Sequence, residues 1–287
     1  MKISLNSKDL IQKALQTLSV DNIVSGEIEV PADYDFSDLL IDHIRSEEWP
    51  VAVDPLLIAT DTDEDKRMRA ELIVELIIVD QLNGKKVLDF GCGNGFVAEA
   101  ASKTASVAVG YDIETNPEWS KHKTILTTDR QEVEKHAPYD IILLYDTLDH
   151  VMDNTQVEIL KYLKSICSGK IITRFHPWCS KNGTHLYKSF NKAFAQFFLT
   201  DDAIKKYGYS HLPTVKVLYP KYQYNKWIRE AGLKVIAQDV HDEPMDERFF
   251  HPEWSSIMIN HYGASCGGKF PKDSLSSQFW DFTLVKK

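Results

Sequence analysis

Three glycines at alternate positions follow a short apolar segment, and their spacing is the clearest indication of chemistry in this chain. Gly91, Gly93 and Gly95 come directly after Lys86–Phe90, a segment that contains one acid, Asp89. Glycine lets backbone N–H groups approach a ligand closely. The apolar residues that follow predict a helix, whose positively polarised N-terminus would lie at the same turn. The pattern therefore predicts a strand, a ligand-binding turn and a helix in succession.

The spacing of the glycines separates two classes of nucleotide ligand. Dinucleotide-binding folds carry G-x-G-x-x-G, whereas this turn is G-x-G-x-G with an acid two residues before the first glycine. The turn resembles motif I of the class I S-adenosylmethionine (SAM) methyltransferases. That resemblance implies SAM as the cofactor, held by the residues of the turn: Asp89, Gly91, Cys92, Gly93, Asn94 and Gly95.

Further predicted strands follow in the order that this family shows, and each ends in an acid. They are Ser106–Asp112, Thr124–Asp129 and Tyr139–Asp146. In the family, the first of these acids binds the ribose hydroxyls and the second commonly reaches the adenine amino group. The resemblance thus implies five more cofactor contacts along these strand ends: Asp112, Ile113, Asp129, Arg130 and Tyr145.

The fold class predicted by these elements is α/β. We expect a Rossmann-like, mostly parallel sheet of seven strands, with helices on both faces and an antiparallel final strand. Gly169–Arg174 is the fifth predicted strand, and Leu233–Val240 and Phe279–Val285 are the last two.

The predicted domain organisation is a methyltransferase domain with two additions. Residues 1–64 form an N-terminal, helical extension, and residues 65–287 form the methyltransferase domain. A helical insert follows the fifth strand at about residues 175–223, and it includes a predicted helix at Phe190–Leu199. Carboxylates at residues 61–65 predict the start of a helix, because negative charge stabilises a helix N-terminus.

The residues that follow the fourth and fifth strands are candidates for catalysis. Methyl transfer from a sulfonium is an in-line displacement, so the protein orients the reactants and supplies a base where the acceptor carries a proton. His150 and His176 follow adjacent predicted strands, and each is either this base or a packing histidine. Asp146 is a further catalytic candidate. Arg174 either acts on an acceptor phosphate or carboxylate, or pairs with Asp146 or Asp149.

Charge is distributed unevenly along the chain. The net charge is −9, yet residues 161–235 carry twelve Lys and two Arg against three acids. Aromatic side chains are interleaved with these cations, which favours an anionic acceptor such as RNA, DNA or a nucleotide. The alternative is a solvated face around a core belonging to the insert. The predicted acceptor contacts are Asp149, which follows the fourth strand, and five residues at the start of this insert: Phe175, Trp178, Lys181, His185 and Lys188.

Three functional hypotheses follow from the sequence. The leading one is an enzyme that methylates an oxygen or nitrogen of a nucleic acid, including an RNA cap, or of another phosphate-bearing substrate. The first alternative is a small-molecule methyltransferase, because Asp146–Val151 resembles the post-strand-four motif of that group. The second is a non-catalytic methyltransferase-like subunit of an assembly. Independently of these three hypotheses, the acidic N-terminal extension is a candidate surface for a protein partner.

Composition argues against several other classes of protein. No apolar run approaches the ~18 residues that span a bilayer, and the N-terminus lacks the apolar core of a signal peptide. Four scattered cysteines fit a reducing compartment, so a cytoplasmic protein without membrane association is expected. His176, Cys179 and His185 are conceivable metal ligands, but the sulfonium chemistry needs no metal and none is expected.

Overall fold

The computed structural model describes most of the predicted methyltransferase domain and isolated parts of the rest. The described residues are 3–4, 28–29, 50–56, 62–77, 79–151, 155–175, 181, 191–193, 221–242 and 277–287. The chain divides into two compact units. The larger unit comprises residues 54–178, 217–241 and 278–287, and the other comprises residues 1–53, 179–216 and 242–277.

A seven-stranded sheet organises the larger unit. Its strands in chain order are β1 (Lys86–Phe90), β2 (Val107–Tyr111), β3 (Ile125–Thr127), β4 (Tyr139–Tyr145), β5 (Cys167–Phe175), β6 (Leu233–Asp242) and β7 (Ser277–Lys286). In space the strands lie in the order β3-β2-β1-β4-β5-β7-β6. The pairs from β3 to β5 are parallel, and β7 runs antiparallel to β5. The mostly parallel α/β sheet with an antiparallel final strand is thereby confirmed.

The central strand β1 is apolar because it has neighbours on both edges and layers on both faces. Asp89 pairs with Gly110 of β2 on one edge and with Leu143 of β4 on the other. Four of its five residues are buried. Parallel strands that are covered on both faces are expected to consist of a continuous apolar run, and an acid within such a run is therefore an exception.

Six helices are described for the larger unit. They are α1 (Asp63–Ile77), α2 (Val79–Leu82), α3 (Phe96–Ser102), α4 (Arg130–His136), α5 (Gln156–Ile166) and α6 (Lys221–Glu230). The predicted acidic start of α1 is confirmed, since Asp63, Glu64 and Asp65 occupy its first turn. Thr62 and Asp65 each accept a hydrogen bond from the other's backbone N–H, which caps the helix reciprocally. In the described part of the chain, no helix is long and apolar enough to cross a membrane.

Helices cover both faces of the sheet, as alternate residues of β5 show. Ile172 belongs to the apolar cluster that includes Ala100 and Ala101 of α3. Phe175 points to the opposite face, where its ring stacks on Tyr224 of α6 at a centroid distance of 4.1 Å. Because side chains alternate between the faces of a strand, neighbouring positions of β5 serve two separate layers of the core.

Several elements differ from the sequence-based prediction, including the following three. β4 ends at Tyr145 because Asp146 has a φ of 47°, which is left-handed and incompatible with a strand. β6 continues two residues beyond the predicted Val240. Residues 191–193 are not helical, although the predicted helix of the insert includes them. The remaining predicted helices of the extension and the insert lie outside the described residues.

The second unit contains parts of both predicted additions. Residues 3–4 and 28–29 form a short parallel ladder. Val53 and Asn191 exchange two hydrogen bonds, from Val53 N–H to Asn191 Oδ1 at 2.9 Å and from Asn191 Nδ2 to the Val53 carbonyl at 2.7 Å. Ala193 N–H donates to the carbonyl of Pro50 at 2.9 Å. The N-terminal segment and the insert thus contribute to one unit, an association that the sequence does not predict.

We expect Phe175 to act through core packing, which corrects its prediction as an acceptor contact. Its side chain has no exposed surface, and it contacts Tyr224 and Phe282. The substitution Phe175→Ala should lower the free energy of unfolding by about 3–5 kcal/mol, measured by denaturant titration. The matched control Met68→Ala, at a half-exposed position, should change it by less than about 0.5 kcal/mol. Equal effects of the two substitutions would contradict this assignment.

Candidate functional site

The three glycines form a tight turn at the carboxyl end of β1. Gly91, Gly93 and Gly95 all have positive φ, at 82°, 51° and 85°. The N–H groups of Gly91 and Cys92 both donate to the carbonyl of Tyr111, at 2.8 and 3.0 Å. These bonds continue the β1–β2 pairing into the turn, so the turn is held by backbone contacts with the end of the neighbouring strand.

The three glycines have different surroundings, so glycine is needed at each position for a different reason. A Cβ at Gly91 would lie 2.3 Å from Oγ1 of Thr147, and a Cβ at Gly95 would lie 2.6 Å from a methyl group of Leu126. Among the described residues, no heavy atom would lie within 4 Å of a Cβ at Gly93. Gly91 and Gly95 therefore allow the protein to pack, whereas Gly93 faces the open side of the turn.

Asp112 follows β2 and reaches across to the glycine turn. Its Oδ2 accepts a hydrogen bond from the Gly93 N–H at 2.7 Å, and its Oδ1 accepts one from the Ile113 N–H at 2.7 Å. The Ile113 side chain is largely exposed. The predicted cofactor contacts from the first two strands thus converge at one end of the sheet, around a half-buried carboxylate.

Asp89 is buried beneath this turn. Its side chain accepts a hydrogen bond from the Ala98 N–H of α3, and burial raises the pKa of Asp89 to about 7, with a smaller contribution from the charge of Asp112. Among the described residues, nothing hydrogen-bonds to Asp89 Oδ2. Burial also raises the pKa of the Cys92 thiol, which therefore stays protonated.

Two side chains that the sequence analysis missed fasten the turn from the segment after β2. The Trp119 indole N–H donates to the carbonyl of Gly93 at 2.8 Å. His122 is almost fully buried, and its two ring nitrogens contact the Asn94 carbonyl, at 2.8 Å, and the Glu99 carboxylate. This loop has no periodic pattern in the sequence. The only sign of its role was that an aromatic residue and a histidine follow shortly after the acid at the end of β2.

The residues predicted near the adenine have structural partners here. Asp129 caps α4, because its Oδ1 accepts a hydrogen bond from the Gln131 N–H at 2.8 Å. Arg130 Nε lies 3.4 Å from the Tyr111 hydroxyl, and its guanidinium lies 4.9 Å from the ring centre of Tyr162. The adenine contacts of Asp129 and Arg130 stay predictions.

The segment after β4 places its side chains at different depths. Asp146 adopts a left-handed conformation, which non-glycine residues adopt mainly at turns and functional sites. Thr147 donates from Oγ1 to the Phe90 and Tyr145 carbonyls. Asp149 is buried with both carboxylate oxygens shielded from solvent, and its role as an acceptor contact stays a prediction. His150 is exposed, and its role as the base stays a prediction.

Arg174 has a partner that the sequence did not identify. Its Nε and one terminal nitrogen donate to the two oxygens of Asp281 on β7, both at 2.7 Å. The sequence analysis named only Asp146 and Asp149 as pairing partners, and of these the charge of Asp146 also acts on Arg174. The guanidinium also lies 5.2 Å from the ring centre of Tyr145, whose buried hydroxyl has no hydrogen-bond partner among the described residues.

The predicted residues of the insert are largely outside the described chain. His176, Trp178, His185 and Lys188 fall in undescribed segments, so their predicted roles are not tested. Lys181 is described and is half-buried. Among the described residues, no three His, Cys, Asp or Glu side chains are grouped to hold a metal ion.

The residues around the turn fit the cofactor implied by the motif. Open space at Gly93 admits a ligand against the backbone. The carboxylate of Asp112 and that of Asp89, whose Oδ2 has no hydrogen-bond partner among the described residues, would provide negative charge for a ligand that carries a sulfonium and an amino group. When bound, SAM supplies an activated methyl group, while these residues would orient it.

We expect two glycine substitutions to separate ligand binding from folding. In both Gly93→Ala and Gly91→Ala the positive φ costs about 1–2 kcal/mol, but only the second creates a clash with Thr147. Gly93→Ala should therefore weaken SAM binding strongly in calorimetry, with a smaller loss of thermal stability than Gly91→Ala. Unchanged SAM affinity in Gly93→Ala would show that the ligand lies elsewhere.

Comparison with known proteins identifies the family of this domain. The sequence profile of a methyltransferase domain family matches residues 62–238. A ubiquinone biosynthesis O-methyltransferase of Vibrio vulnificus strain YJ016 is 36% identical over 89 residues, which are 27% of this chain and 38% of that relative. The chain thus matches less than half the length of this curated relative.

Solved structures of methyltransferases also resemble the chain. Magnesium protoporphyrin IX methyltransferase of Synechocystis PCC 6803, with bound SAH, is 14% identical over 88% of this chain and 96% of that chain, with a TM-score of 0.49. A SAM-dependent methyltransferase of Archaeoglobus fulgidus is 18% identical over 82% of this chain and 100% of that chain, with a TM-score of 0.49. Since the methyltransferase profile spans more than half of this chain, from its first long helix to its sixth sheet strand, the chain belongs to the class I SAM-dependent methyltransferases.

Proposed function

We propose that this enzyme transfers the methyl group of SAM to an oxygen of a small organic molecule. The observation that carries this proposal is the similarity to an O-methyltransferase of ubiquinone biosynthesis, at 36% identity. The similarity favours the small-molecule alternative over the nucleic acid that the sequence analysis preferred. The similarity extends over 27% of the chain.

The described part of the basic segment gives no separate support for a nucleic acid. Lys161 pairs with Glu158 at 2.9 Å, and Lys164 donates to the carbonyl of Ala231 at 3.3 Å. Lys170 contacts the side-chain oxygen of Gln81. These lysines stabilise neighbouring helices and loops, which agrees with the alternative of a solvated face. The protein partner expected for the acidic N-terminal segment stays a prediction.

Cofactor affinity should depend on pH through Asp89. The group has a pKa of about 7 in the ligand-free protein, and the cationic cofactor favours its ionised form. Protons therefore compete with SAM, so lowering the pH below 7 should weaken binding by up to about tenfold per pH unit. The α-amino group of SAM stays protonated in this window, since α-amino groups titrate at about 7.7–8.0.

Calorimetric titration with SAM between pH 5.5 and 7 measures this effect. Asp89→Asn should bind more weakly at pH 7 and should lose the pH dependence, because the amide does not titrate. The matched variant Glu114→Gln changes an exposed carboxylate and should retain the parent's pH dependence. A flat profile in the parent protein would exclude Asp89 as the titrating cofactor contact.

The acceptor class can be determined with labelled SAM. Tritiated methyl transfer is measured in parallel to a bacterial extract of small metabolites, to total RNA and to DNA. We expect label in the small-molecule fraction, with little dependence on salt. Asp112→Ala, which removes a carboxylate from the cofactor turn, serves as the low-activity control. Label that precipitates with RNA or DNA, with transfer falling steeply as salt increases, would refute the proposal.

A further inference from the structure

The segment between β2 and β3 holds three successive backbone groups of the glycine turn. The Gly93 N–H donates to Oδ2 of Asp112 at 2.7 Å, and the Gly93 carbonyl accepts a hydrogen bond from the Trp119 indole N–H at 2.8 Å. The next carbonyl, that of Asn94, contacts Nε2 of His122 at 2.8 Å. Three side chains of one segment therefore hold the middle of the turn.

Holding a carbonyl also fixes the direction of the N–H group that follows it. A peptide unit is planar and trans, so its C=O and N–H bonds point in opposite directions. Since the Gly93 carbonyl is directed at Trp119, the N–H of Asn94 points away from Trp119. The direction of this backbone donor, next to the open side of the turn at Gly93, thus depends on a contact made by the neighbouring segment.

His122 lies in a closely packed site between the turn and α3. Its side chain is 1% exposed, and its ring is nearly perpendicular to that of Phe96, with a centroid distance of 5.0 Å. A Cβ at Gly95 would lie 3.3 Å from Cδ2 of the imidazole. The absence of a side chain at Gly95 leaves room for the ring, so packing and hydrogen bonds together fix its position.

The two polar contacts of His122 determine the orientation of its ring. A backbone carbonyl only accepts hydrogen bonds, so Nε2 carries a hydrogen toward Asn94. Nδ1 contacts the carboxylate of Glu99 on α3. An ionised carboxylate also only accepts, so this contact contains one proton shared by Nδ1 and the carboxylate. Glu99 thereby orients the imidazole with its Nε2–H facing the turn, as the hydrogen bond at one ring nitrogen generally determines the state of the other.

The same segment has support of its own. Oδ1 of Asn116 accepts a hydrogen bond from the Glu118 N–H at 3.0 Å and caps the short 3₁₀-helix Pro117–Lys121. Lys121 lies 2.7 Å from the Glu118 carboxylate and 3.8 Å from that of Asp63, in the first turn of α1. The segment thus contacts both α1 and α3, which allows it to act as a support for the turn.

We propose that Trp119 and His122 are positioning residues for the cofactor. They hold the Gly93 and Asn94 peptide units in the conformation that binds SAM, and Glu99 orients His122. Both side chains act through the backbone of the turn. Because the turn is held before the ligand arrives, binding does not have to order it, and this preorganisation increases affinity. The inference concerns the cofactor alone and does not depend on which acceptor is methylated.

Two substitutions of similar length at position 122 separate hydrogen bonding from packing. The amide nitrogen of His122→Gln can reach the position of Nε2 and donate to the Asn94 carbonyl, whereas His122→Met has no donor. In calorimetry we expect His122→Met to bind SAM about tenfold more weakly than the parent and His122→Gln to restore most of that loss. Equal affinity of all three proteins, or equal losses in both variants, would overturn the role of this hydrogen bond.

Trp119→Phe provides a test that leaves the buried histidine intact. It removes the indole N–H and keeps an aromatic ring, and we expect SAM affinity to fall about three- to tenfold. The matched control Ser120→Ala removes a different hydrogen bond from the same segment, to the Pro117 carbonyl at 2.9 Å, and should retain the parent's affinity. Thermal denaturation without ligand reports whether each variant is folded. A loss of affinity in the control as large as in Trp119→Phe would contradict the proposal.

NMR of ¹⁵N-histidine protein tests the orientation by Glu99 without measuring activity. His122 is assigned from the signals lost in His122→Gln. We expect a hydrogen on Nε2 that exchanges slowly with solvent in the parent and in Glu99→Gln, whose amide can donate to Nδ1. In Glu99→Leu the exchange should be faster and SAM binding weaker. A His122 without a hydrogen on Nε2 in the parent protein would overturn the assignment.

Kinetics with the acceptor found in the labelling experiment distinguish positioning of the cofactor from a general loss of structure. Trp119→Phe and His122→Met should raise the KM for SAM and leave the KM for the acceptor unchanged. An unchanged KM for SAM with a lower kcat would overturn the proposal. Failure of the proposed small-molecule function is detected separately, by label in nucleic acid, and does not alter the expected SAM affinities.

Discussion

Parallel pairing of β1 with β2 on one edge and β4 on the other is the constraint on which the rest of the structure depends. Asp89 lies opposite Gly110 and Leu143, so the strand has no free edge and its side chains are buried on both faces. The parallel direction brings the ends of β1, β2, β4 and β5 to one edge of the sheet. Every candidate group for binding or catalysis follows from that alignment, because polar turns are excluded from the interior and collect where the strands end.

Close packing at this edge requires glycine within a strand as well as in the turn. A Cβ at Gly110 would lie 2.5 Å from Leu126 and 3.0 Å from the Cys92 sulfur. The strand end of β2 therefore approaches the glycine turn and α3 closely, and the backbone bonds from Gly91 and Cys92 to Tyr111 form as a result. The end of β2 and the loop after it hold the turn through hydrogen bonds, and the glycines of the turn permit its backbone conformation.

The two halves of the sheet each contain a buried or largely buried carboxylate, and the two carboxylates differ in their hydrogen-bond partners. On the β1 side, Asp89 is buried with a pKa of about 7 because burial disfavours its ionised form. On the β7 side, Asp281 is nearly as buried but accepts hydrogen bonds from Arg174 and His241. Asp89 thus has one oxygen without a hydrogen-bond partner among the described residues, whereas Asp281 is held by two basic side chains.

The sequence by itself determined the fold and the cofactor turn, since both depend on local patterns. Apolar runs that end in acids predicted the strands, and the glycine spacing predicted the turn around Gly93. The tertiary structure alone decided which distant residues meet: Asp281 joins Arg174 across 107 positions of sequence, and His122 closes on Asn94 across 28. No local pattern encodes such pairs, because each partner was chosen by strand order and by burial. For the same reason Phe175 was predicted at the acceptor but lies in the core, since its direction depends on which helix covers that face of β5.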